Sequence, residues 1–109
     1  MLRSPKRCTV PLWAIDVTTV LIGANARRQL RRVPQHVLGK LLYWVSVIEQ
    51  EGLSEAGKMR GFHDEALKGK LKGLRSIRLN RAYRALYRVG IQGGRKTVHI
   101  EGITKHVYH

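Results

Sequence analysis

Eleven Lys or Arg residues and a single acid, Glu101, occupy residues 66–109, a net of +10 in that stretch alone. Lys68, Lys70, Lys72 and Arg75 crowd its first part, followed by Arg78, Arg84, Arg88 and Lys105, and histidines stand nearby at His63, His106 and His109. Guanidinium is always charged, and its planar fork can take two non-bridging phosphate oxygens at once. Imidazole changes its charge near neutrality and so can move a proton. Fixed cations grip an anion, and proton-transfer groups beside them can serve general acid–base chemistry on it. The whole chain carries +14, so its natural partner is a polyanion.

The same inventory excludes other chemistries. Asp64, Glu65 and Glu101 are the only acids past residue 55, too few for a paired-carboxylate metal nuclease. His63, His99, His106 and His109 match no zinc-ligand spacing, and no GxxxxGK[ST] phosphate loop occurs. No metal and no small-molecule cofactor is therefore expected. The lone cysteine, Cys8, cannot close an intramolecular disulfide, which points to a reducing compartment. Arg3, Lys6 and Arg7 before an apolar run ending at Ala24-Asn25-Ala26 imitate an export signal, but Pro11 and Asp16 interrupt that run. It is also too short to span a bilayer. The expectation is a cytoplasmic protein without a membrane segment.

At 109 residues the chain supports one compact domain. Residues 1–12, with Pro5 and Pro11, read as an irregular basic arm, and residues 13–109 as the domain. Trp13 to Thr19 is rich in β-branched and aromatic residues and suggests a strand, while Val20, Leu21 and Ile22 fit either its continuation or the start of a helix. Ala24 to Arg32 reads as a short basic helix. Pro34 opens a second, in which Val37, Leu38, Leu41, Leu42, Val45 and Ile48 build one apolar stripe up to a cap at Gly52. Residues 53–75 read as a long, glycine-punctuated connection of the kind that is functional or disordered.

From Ser76 the period becomes two. Ser76, Arg78 and Asn80 fall on one side of a strand, and Ile77 and Leu79 on the other. After a turn at 80–82, Arg84, Leu86 and Arg88 share a side opposite Tyr83, Ala85, Tyr87 and Val89, so the two tyrosines are expected in the core. Gln92-Gly93-Gly94 closes a hairpin to a strand over Lys96–Ile103. The predicted class is α+β, with an N-terminal helical pair packed on a C-terminal antiparallel β-sheet.

Leu67-Lys68-Gly69, then Gly73, Ser76-Ile77-Arg78, Tyr83-Arg84 and the terminal Tyr108-His109 together resemble the signature of HigB toxins in the RelE superfamily, over about residues 58–109. The resemblance implies a RelE-like fold and a ribosome-associated mRNA endonuclease, the growth-arresting toxin of a type II toxin–antitoxin pair held silent by a cognate antitoxin. It implies attack by the 2′-hydroxyl of the RNA on the neighbouring phosphate, without metal or cofactor. By motif position, His63 and Lys68 match the family's histidine and lysine, with two extra residues between them here. Arg84 matches the sheet arginine, and Tyr108 and His109 the terminal pair. On that match Lys68 is either a base, should its cationic neighbours favour the neutral form, or a phosphate clamp. His63 can transfer protons; Tyr108 and His109 can act as the acid or stack on a base. Arg78, Lys70, Lys72, Arg75, Arg88, Lys105 and His106 are the candidate RNA-binding residues. Val107 stands where HigB toxins carry an acid, which moves the acid role to His106 or the terminal carboxylate, or alters activity. Two other functions compete: a ParE-like gyrase-inhibiting toxin on the same scaffold, and a non-catalytic basic RNA- or DNA-binding module.

Overall fold

The computed structural model of the chain describes residues 18–105. The N-terminal arm, Cys8, and the candidate site residues His106, Tyr108 and His109 lie outside the described residues.

The chain enters through β1 (Thr18–Ile22). Val20 to Ile22 are thus strand and not the start of a helix, as suits a Thr-Thr-Val-Leu-Ile run. Gly23 ends it: its N–H donates to the Ile100 carbonyl (3.0 Å), and its own carbonyl accepts from Arg27 N–H (2.9 Å), starting α1 (Ala24–Leu30). A Cβ at position 23 would stand 3.2 Å from the Ile100 oxygen, so the close approach favours glycine. Arg27 and Arg28 lie in the last turn of α1, where cations suit the helix dipole.

Helix α2 (Gln35–Glu51) follows Pro34, which occupies the position just before the first turn rather than a place within it. Its buried line is Val37, Leu41, Trp44 and Ile48. Leu42, expected in the stripe, is 49% exposed. The apolar face is centred on Trp44, because a large indole offers more surface to bury than a leucine on the flank. Gly52, at φ 95°, caps the helix with its N–H on the Ile48 carbonyl (2.8 Å).

The long connection is ordered. It contains α3 (Leu53–Gly57), a 3-10 turn (Arg60–Phe62), the two-residue β2 (Glu65–Ala66) and a second 3-10 turn (Gly69–Leu71). Ala56 and Phe62 are buried in the core and fix it in place. β3 (Arg75–Arg78), β4 (Tyr83–Gln92) and β5 (Arg95–Lys105) complete the sheet. Among the described residues the strand order is β1-β5-β4-β3-β2. The last four pair antiparallel, but β1 lies parallel to β5, from Thr18 opposite Lys96 to Ile22 opposite Ile100. The sheet is therefore mixed and not purely antiparallel. Hairpins force antiparallel pairing only between neighbours in the chain, and β1 reaches β5 through three helices and three other strands.

Two turns set the geometry of β4. Gly93 (φ 58°) and Gly94 (φ 79°) form the two-residue loop to β5, whose left-handed backbone matches the twist of the strands. At the other end, Asn80 Oδ1 accepts the N–H groups of Ala82 (2.8 Å) and Tyr83 (2.7 Å), and Asn80 Nδ2 meets His36 Nε2 at 3.1 Å, tying the turn to α2. A bulge pairs Leu86 with Gly102 and Tyr87 with Ile100, leaving Glu101 as the extra residue. One face of the sheet (Ile77, Leu79, Ala85, Tyr87, Val98, Ile100) packs with the buried line of α2, and the Trp44 and Tyr87 rings meet at 4.9 Å and 57°.

Candidate nucleic-acid interface

The opposite face carries the cations. Register places Arg78 of β3 directly across from Arg84 of β4, Ser76 across from Leu86, Arg84 across from Thr104 of β5, and Arg88 across from His99. Arg84 Nη1 donates to Ser76 Oγ at 3.1 Å. Like charges directly opposite on antiparallel strands repel. Among the described residues the side-chain ion pairs are Lys58–Glu55, Arg75–Asp64 and Arg88–Glu101, so no carboxylate offsets Arg78 or Arg84. Glu101, the single acid of the basic half, is aimed by the bulge at Arg88 (3.3 Å), and both partners are well exposed, which makes the pair weak.

Lys68, Lys70 and Lys72 stand exposed on the loop between β2 and β3. Leu67 N–H bonds the Leu74 carbonyl (3.0 Å) and closes that loop, and Gly69 at φ 68° turns it. His63 is exposed and ends the Arg60–Phe62 turn with φ 45°, the only non-glycine at positive φ among the described residues. That conformation costs a β-carbon on the order of 1–2 kcal/mol, and such outliers gather at functional sites. No hydrogen bond or ion pair links His63 or the three lysines to Arg84 among the described residues.

Other expected contacts point elsewhere. Arg75 shares the helix-facing side of the sheet, where its Nε donates to Asp64 Oδ1 (2.9 Å) and to Tyr87 Oη (3.2 Å), while Tyr87 Oη donates to Asp64 Oδ2 (2.5 Å). Its guanidinium is thus engaged within the fold, beside an open pocket of about 290 Å³ lined by Leu53, Gly57, Asp64 and Lys96. Lys105 reaches over the Tyr83 ring at 5.9 Å, also away from Arg84. Tyr87 is buried in the core. Asp64 escapes sequence reasoning, since only its partners Arg75 on β3 and Tyr87 on β4 define its role; Ser76 is placed on the cation side by alternation, but only the fold brings its hydroxyl to Arg84.

Burial, and secondarily the hydrogen bond to the Asp64 carboxylate, raise the Tyr87 phenol pKa above its ordinary 10.0. A raised folded-state pKa gives stability that is complete below the unfolded value and is lost as pH rises beyond it. Wild-type protein is thus expected to lose thermal stability above about pH 10 more steeply than Tyr87→Phe. Melting curves of both proteins between neutral and strongly alkaline pH check this, and parallel declines would remove the phenol as the cause.

Among the described residues no group of three His, Cys, Asp or Glu is placed to hold a metal ion, and no helix is long and apolar enough to cross a membrane.

No family model matches the chain, and no curated protein matches it either. Solved structures do. The toxin–antitoxin complex RelBE2 from Mycobacterium tuberculosis is 28% identical, with 81% of this chain and 96% of that chain covered and a TM-score of 0.54. YafQ from E. coli is 12% identical, with 81% and 92% covered and a TM-score of 0.63. The YoeB–YefM toxin–antitoxin complex from Staphylococcus aureus is 19% identical, with 84% and 98% covered and a TM-score of 0.56. The chain has the RelE-like α+β fold that these structures share.

Proposed function

We propose that this chain is the toxin of a type II toxin–antitoxin system, closest to the HigB type, and that residues 13–109 form one ribosome-dependent mRNA endonuclease domain. The observation that carries this reading is the Arg78–Arg84 pair, two guanidiniums opposed on the face of the sheet away from the α2 core line, with no carboxylate paired to either among the described residues. Likeness to RelBE2 and to the YoeB–YefM complex supports a cognate antitoxin as partner. The site of action is the cytoplasm, on ribosome-bound message.

In this reading the 2′-oxygen bonds to the adjacent phosphorus as its proton passes to a base, Lys68 or His63. The bond from phosphorus to the 5′-oxygen then breaks, and that oxygen takes a proton from Tyr108, His109 or His106, leaving a cyclic phosphate and a free 5′-hydroxyl. Arg84 faces the negative charge that grows on the phosphorane oxygens. Arg78, Lys70, Lys72 and Arg88 hold flanking phosphates.

A translating extract given purified protein tests the reading. Messages should be cut only when ribosomes occupy them, and intact messages in extract that has stopped translating would overturn it. RNA affinity should fall with salt with a log–log slope of about −0.7 for each phosphate neutralised on a single strand. A flat response in filter-binding titrations would remove the phosphate-gripping face.

A further inference from the structure

We infer that Ser76 is a positioning residue, whose hydroxyl holds the Arg84 guanidinium in the orientation that receives the scissile phosphate; the inference rests on the endonuclease reading above. Ser76 sits mid-strand in β3, opposite Leu86 on one side and Glu65 of β2 on the other, and is 1% exposed. Its alternation puts the side chain on the face of Arg84 and Arg78. Contact with Arg84 Nη1 is at 3.1 Å, and guanidinium only donates, so Ser76 Oγ is the acceptor.

Arginine has a long, rotamer-rich side chain, and this one starts directly across from a second arginine that repels it. Left to electrostatics alone, the two heads would splay apart in many arrangements. The Ser76 hydroxyl selects one, drawing Nη1 toward β3. Among the described residues Nη2 and Nε of Arg84 donate to no protein acceptor, so both can take two phosphate oxygens. Reacting groups held in one geometry before the substrate arrives need no reorganisation at the moment of reaction. Oγ accepts from Arg84 and, with Ser76 only 1% exposed, meets the anion only through that guanidinium.

The test is single-turnover cleavage of ribosome-bound message. Ser76→Ala should slow the step about tenfold, the lower range for a hydrogen bond to a charged group, with the half-saturating ribosome concentration unchanged. Ser76→Cys, which fills the space but accepts poorly, should slow it similarly and serves if the alanine variant does not fold. In an Arg84→Ala background, Ser76→Ala should add no further loss, because the hydroxyl acts only through that guanidinium. Additive losses, or wild-type rates for Ser76→Cys, would overturn the role. Uncut messages with wild-type protein would instead overturn the endonuclease reading itself.

Discussion

Arg84→Ala is expected to lower cleavage of ribosome-bound mRNA by about a hundred- to a thousand-fold, the usual cost of removing one preorganised stabiliser of transition-state charge. Growth arrest on expression should disappear with it. The fold should survive: Arg84 is only partly buried, its lost hydrogen bond to Ser76 is a single contact, and the substitution also relieves repulsion by Arg78 across the strand pair. Cleavage rate and melting temperature therefore separate in this variant, which distinguishes lost chemistry from lost structure. Arg84→Lys should recover only part of the rate, because an ammonium is a point charge without the two-pronged geometry. Arg88→Ala should weaken RNA binding more than it slows the cleavage step, because its guanidinium holds a flanking phosphate and is already shared with Glu101. A variant without Arg84 that remained fully toxic would show that the phosphate is stabilised elsewhere.

How far this arrangement can be read beforehand depends on the range of the signal. Strand alternation is local, so the shared side of Arg84, Leu86 and Arg88 and the burial of Tyr87 follow from order alone. The same holds for Gly52 as a cap and Gly93-Gly94 as a hairpin loop, where backbone conformation demands glycine. Pairing between distant segments leaves no such trace. β1 carries strand-forming residues, yet nothing in Thr18–Ile22 says that its neighbour is β5 or that the two run parallel. β2 is two exposed residues long, shorter than any period it could display. Bulging at Glu101 is visible only afterwards, when Val98 and Ile100 are buried and the next buried apolar side chain is Ile103 rather than residue 102. Arg75 resembles every other cation in its stretch until Asp64 is found against it. The opposed Arg78 and Arg84 sit between these extremes, since alternation gives each one's side and only register makes them partners.

The largest expected loss of stability comes from Trp44→Ala. Trp44 is fully buried at the centre of the α2 line, against the Tyr87 ring, and truncating a buried tryptophan typically costs about 3–5 kcal/mol. Domains of this size are stable by only about 5–15 kcal/mol, so the variant should melt on the order of 10 °C or more below wild type. Trp44→Phe separates two contributions. Its ring still meets Tyr87, and the substitution removes an indole N–H that is buried without an acceptor among the described residues. An unsatisfied buried donor costs about 1–3 kcal/mol, which offsets part of the volume lost. Chemical denaturation of both variants should therefore place Trp44→Phe much nearer wild type than Trp44→Ala. Equal losses would mean that the indole nitrogen is satisfied in solution and that its hydrogen bond, as well as its bulk, holds α2 on the sheet.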